Sequence, residues 1–96
     1  MTFEPTWRPR RSVDVAWNEV AGEIVVVSAS RGTVCGLSEG AGEIWRMCDG
    51  QTTVSQMAQR LYEQFDVEKQ VVEDDLARFL QDLVEQALLE PPELRE

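Results

Sequence analysis

Histidine is absent from this 96-residue chain, and cysteine occurs only twice. With no histidine, the usual general base near neutral pH and the commonest metal ligand are both missing. Two cysteines, Cys35 and Cys48, are too few for a disulfide scaffold and too isolated for a zinc site. Each sits on an apolar stripe, where a free thiol behaves as a small hydrophobe, and no basic neighbour or CxxC spacing marks either as activated. None of the six glycines forms a phosphate-cradling loop. No apolar run approaches the ~20 residues needed to cross a bilayer. The opening "MTFEPTWRPRRS" also lacks the apolar core of a secretory signal. These absences predict a cytoplasmic chain with no membrane, metal or cofactor partner.

The chain does carry one modest core and an uneven charge. It is 43% hydrophobic with three Trp and three Phe, enough for a single small domain. Net charge is −9. Residues 61–96 hold 11 acidic and 3 basic residues, whereas the first twelve hold three arginines against Glu4. Such a surface repels nucleic acid and anionic lipid and favours basic or neutral partners.

Pattern divides the chain into a flexible basic arm (1–12), a domain (13–89) and a C-terminal tail (90–96). Pro5 and Pro9 among arginines suit an extended or disordered arm. Val13, Val15 and Trp17 alternate with Asp14, Ala16 and Asn18, the period of a half-buried strand. After a turn near Gly22, "EIVVVS" (23–28) is β-branched on both faces and reads as a central strand. Arg31-Gly32 ends the next turn, and residues 33–37 make a third strand. The period then changes. Ser38 is a candidate cap for a helix with Ala41, Ile44, Trp45 and Cys48 on one face, stopped by Asp49-Gly50. Thr53 and Gln56 form a capping box. The helix they open is expected to bury Val54, Met57, Ala58, Leu61, Tyr62 and Phe65. A third helix runs from beyond Asp66 to about Ala87 on Val72, Leu76, Phe79, Leu80, Leu83 and Val84. The expectation is an α+β fold: a three-stranded antiparallel meander followed by three helices, like a winged helix-turn-helix.

Such a fold often reads DNA. Here the final helix presents Glu73, Asp74, Asp75, Asp82 and Glu85 against Arg78 alone, and phosphate contacts need the opposite charge. Catalysis is rejected for want of a recognisable base or activated nucleophile. Peptide binding by strand addition remains. "TVCGL", Thr33, Val34, Cys35, Gly36 and Leu37, is short and uncharged, and Gly36 permits close backbone approach. An ordinary edge strand with a bulge at Gly36 is the alternative.

At this point the residues carry a resemblance. Leu37-Ser38, Ile44-Trp45, Cys48-Asp49-Gly50, Thr53-Val54, Met57-Ala58, Leu61, Phe65, Leu76, Phe79-Leu80, Leu83 and Ala87-Leu88-Leu89, in this order, resemble the PqqD-like family over roughly residues 13–89. The family's module is the RiPP recognition element, a peptide chaperone of natural-product biosynthesis that binds leader peptides of ribosomally made precursors. The resemblance implies that a leader pairs antiparallel to the third strand and lies in a cleft against the third helix. Phe79 and the polar flank of that helix, Asp74, Asp75, Arg78 and Asp82, would then form the cleft's other wall. It further implies presentation of the peptide to a tailoring enzyme, such as a radical SAM protein or a leader peptidase. An accessory or regulatory subunit that binds a folded partner is the competing expectation.

Overall fold

The computed structural model describes residues 3–92. Three strands, β1 (Val15–Val20), β2 (Glu23–Ser28) and β3 (Thr33–Leu37), precede three helices, α1 (Glu39–Met47), α2 (Val54–Gln64) and α3 (Lys69–Glu85). The sheet is antiparallel in the order β1-β2-β3, with β2 central as its two-faced β-branched pattern predicts. Ala21 and Gly22 both take positive φ (52° and 85°), so β1 and β2 are joined by a two-residue turn of the primed type that matches strand twist.

Helices cover one face of the sheet. Ile24, Val26 and Ser28 of β2 point into the core, joined by Leu37 of β3. Trp45, Cys48, Val54, Met57, Leu76 and Leu80 fill its centre and are wholly or almost wholly shielded from solvent. Thr53 and Gln56 close the capping box, with Thr53 N donating to Gln56 Oε1 (2.8 Å) and Gln56 N to Thr53 Oγ1 (3.1 Å). Ser38 stands at the start of α1, but its side chain makes no cap bond. Its carbonyl instead accepts from Gly42 N at 2.7 Å.

Four features differ from the sequence reading. Val13 is almost fully exposed and β1 begins two residues later, at Val15. Tyr62 and Phe65 are not core residues but stand 46% and 37% exposed. Val54, Met57, Ala58 and Leu61 already fill the inward stripe of α2, and Phe65 has left helical geometry (φ −116°, ψ 133°), so the 3.6-residue period no longer applies to it. The third helix stops at Glu85. Ala87 takes a left-handed φ of 60°, and Leu88 N donates back to Leu83 O (2.9 Å), turning Leu88 and Leu89 into the core.

The fourth concerns the arm, whose described part (residues 3–12) is packed rather than free. Pro9 is buried. Val54 N and Ser55 N, orphan donors of the first turn of α2, donate to Trp7 O (2.8 Å) and Pro5 O (3.0 Å). Gly50 N donates to Pro9 O (2.9 Å), Ser12 N to Leu88 O (3.0 Å) and Glu90 N to Arg10 O (2.9 Å). Arg11 lies over both Trp17 and Trp45, 5.2 and 5.9 Å from their centroids, and donates to Trp45 O at 2.8 Å. Residues 1–2, and 93–96 of the expected tail, lie outside the described residues.

Candidate functional site: an open strand edge beside an apolar cleft

The hydrogen-bond alternation of an antiparallel sheet decides what β3 offers to solvent. A two-residue primed turn closes on a hydrogen-bonded pair, here Val20 and Glu23. Alternation then directs Glu23, Val25 and Val27 toward β1 and leaves Ile24, Val26 and Ser28 to bond β3. Their partners are Leu37, Cys35 and Thr33. The main-chain N–H and C=O groups of Val34 and Gly36 therefore face outward along a free edge. Among the described residues, no backbone bond outside the β2–β3 ladder uses residues 33–37.

The register runs one-to-one from Ile24–Leu37 to Ser28–Thr33, so β3 has no bulge at Gly36. A Cβ added at Gly36 would meet nothing within 4 Å. Nothing inside the domain requires a glycine there. The side chains alternate: Cys35 and Leu37 point toward the helices, half-buried and buried, while Val34 stands 71% exposed on the other face.

Where β3 ends, α1 begins, and Gly40 and Ala41 open the wall of a cleft of about 360 Å³. Ile44 continues that wall; Leu61 and Phe65 come from the end of α2; Val67, Val71, Val72, Leu76 and Phe79 come from α3 and the segment before it. Among the described residues the lining is apolar except for one carboxylate, Asp75. The volume is at the low end for a ligand pocket and can take one or two apolar side chains.

The expected α3 residues separate. Asp75 and Phe79 line the cleft, Phe79 half-buried. At about 100° per residue, Asp82 lies on the same flank one to two turns further on, with Arg78 at its outer margin. Arg78 approaches Asp75 at 3.8 Å with both side chains exposed, a weak pairing. Asp74 lies on a different flank, where it accepts from Gln70 Nε2 (3.0 Å). The sequence reading placed Ala41 on the core face of α1 and passed over Gly40, Val67 and Val71. The last two carried a signal: Val67, just before α3, and Val71, in its first turn, are apolar but off its buried stripe, and both are about 40% exposed.

The two cysteines differ in burial. Burial pushes the Cys48 thiol up to about 12 against the nearby Arg11 charge, and its Sγ faces Ile44 O at 3.2 Å. Cys35 is free and half-buried on β3. Among the described residues, no group of acids and cysteines could hold a metal ion, and no helix is long and apolar enough to cross a membrane.

A three-stranded meander leading into three helices, with an open edge beside a cleft, defines a small winged-helix-type domain. The family profile of coenzyme PQQ synthesis protein D (PqqD) matches residues 23–89, and the chain belongs to the PqqD family. A solved structure of TbiB1 in complex with the TbiA(beta) leader peptide shares the fold at a TM-score of 0.80 and 26% identity, over 84% of this chain and 94% of that one. Lasso peptide synthetase B1 complexed with the leader peptide gives a TM-score of 0.78 at 22% identity, over 88% and 99%. The comparison with curated proteins found no match.

Proposed function

We propose that this protein captures the leader segment of a ribosomally made precursor peptide and presents it, in the cytoplasm, to a tailoring enzyme such as a radical SAM protein or a leader peptidase. The observation that carries this reading is the free edge of β3 running into an apolar cleft. The edge groups of Val34 and Gly36 supply two donors and two acceptors to an incoming strand, without sequence preference. Selectivity comes from the cleft, where an apolar leader residue packs between Ala41 and Phe79 and a basic one meets Asp75.

In this reading Thr33, Val34, Cys35, Gly36 and Leu37 form the docking strand, with Asp75 and Phe79 as the opposing wall. Asp82 and Arg78 tune charge further along α3, and Asp74 contributes only at long range. The protein performs no chemistry itself. It raises the effective concentration of precursor at the enzyme, on the order of millimolar for a short tether. Membership of the PqqD family and the likeness to leader-bound structures support this assignment.

The test is a titration of labelled peptides covering the leaders encoded beside this chain's gene. Saturable binding that is competed by unlabelled leader, but not by the precursor's core segment, is expected. If no leader binds at 100-fold above micromolar concentrations while the folded tailoring enzyme does, the accessory-subunit reading replaces this one.

A further inference from the structure

The helices cover only one face of the sheet, and the other is mostly apolar, with Asn18 and Glu23 as its polar positions. Ala16, Val27 and Val34 are register partners and cross all three strands in one row on this outer face. Val25 and Gly36 extend the patch, as does Val20, which is 56% exposed. Glu23 is the one charged residue among these outward positions, although the chain carries −9 in total. Among the described residues, no segment covers this face.

We infer that the outer sheet face is the docking surface for the tailoring enzyme, and that it is completed by the bound leader. The inference rests on the enzyme-partner reading above. An antiparallel strand added at β3 places every second side chain on this same face, so leader and sheet become one continuous surface. Three strands of five to six residues span only about 14 by 20 Å, roughly 300 Å², against about 800 Å² per partner in a standard interface. A second copy meeting this patch face to face falls well short of that area and brings its own −9 charge. An enzyme that touches sheet and leader together gains the added strand and whatever it holds of the precursor beyond. The partner surface that fits is a flat apolar one with a basic residue at its rim to meet Glu23.

The enzyme should therefore bind the leader-loaded protein at least fivefold more tightly than the leader-free protein. The test uses the full chain, its leader peptide and the purified tailoring enzyme encoded beside it. Val27→Lys, on the central strand and away from the docking edge, and Ala16→Lys, on the far strand, are each compared with the parent. Both positions are solvent-exposed, so the fold should be retained. The expected result is a tenfold or greater loss of enzyme affinity, with the Kd for leader unchanged within twofold. Parent-like enzyme affinity in both variants overturns the surface while leaving the enzyme-partner reading intact. No enzyme binding to the leader-loaded parent overturns that reading, and this surface with it. A parent dimer in sedimentation that Val27→Lys dissociates would assign the face to a second copy instead, and so also overturns the inference.

Discussion

Gly36→Pro separates the proposed docking edge of β3 from the domain's own sheet, because the two use different main-chain groups. By the alternation that starts at the Val20–Glu23 turn, the N–H of Gly36 points away from β2. Proline is tolerated at sheet edges where the missing N–H faces solvent. The residue before it, Cys35, is already extended, as proline prefers. Open space around Gly36 removes any clash with the rest of the domain. The folded protein should therefore keep its circular dichroism and melt cooperatively.

The complex should not fare as well. The leader loses one main-chain donor, and a carbonyl that it has buried against β3 is left unpaired, at a cost of about 1–3 kcal/mol, or roughly 5- to 150-fold in Kd. Fluorescence anisotropy with a labelled leader reads this directly. Cys35→Pro is the matched control. It removes a donor that bonds β2, so it should damage the fold itself. A folded Gly36→Pro protein that binds leader with parental affinity would refute strand addition at β3.

Further outcomes follow from the same geometry. Asp75→Lys, in the cleft wall, should weaken a leader carrying Lys or Arg mainly through its association rate and should flatten the salt dependence, whereas Asp74→Lys, on another flank, should change little; stopped-flow at two ionic strengths distinguishes them. Arg11→Ala removes a charged hydrogen bond to Trp45 O and two cation–π contacts, about 2 kcal/mol together, and should lower Tm by roughly 8–16 °C. A thiol reagent at pH 8 should modify Cys35 and leave Cys48 untouched until the protein unfolds. Because the folded Cys48 is raised from 9.0 to about 12, its contribution is complete below pH 9 and is lost as pH rises toward 12. The stability gap between the parent and Cys48→Ala should shrink over that window in denaturant titrations.

Periodicity in the sequence located the helices because each presents one apolar stripe to the core. The two-sided Val run of 23–28 could only be a central strand, and the Thr53–Gln56 pair names its own helix start. The same signal cannot tell a core from a cleft. Phe65 follows Leu61 at helical spacing and so reads as buried, yet it lines the cleft beyond the end of α2. Asp74 and Asp75 are adjacent in sequence and equivalent in composition, and only helix geometry sets them on different flanks. The docked arm was illegible for another reason. What it offers to α2 are the carbonyls of Pro5 and Trp7, main-chain groups that every sequence has.

Those arm contacts also explain how so small a domain can leave a cleft open. The arm reaches the C-terminal end of α1 through Arg11 and Cys48 O, the N-terminal end of α2 through Val54 and Ser55, and the segment after α3 through Leu88 and Glu90. The cleft is built from the opposite ends: the first turns of α1, the last of α2 and the N-terminal half of α3. A bundle bonded at one end and parted at the other can hold apolar side chains such as Val67, Val71 and Phe65 in water without collapsing onto them. Their exposure costs stability, at about 25 cal/mol per Å² of apolar surface left wet. In the proposed binding mode, a leader that covers them would recover that free energy. The arm stabilises the fold independently of the cleft, which leaves that apolar surface open.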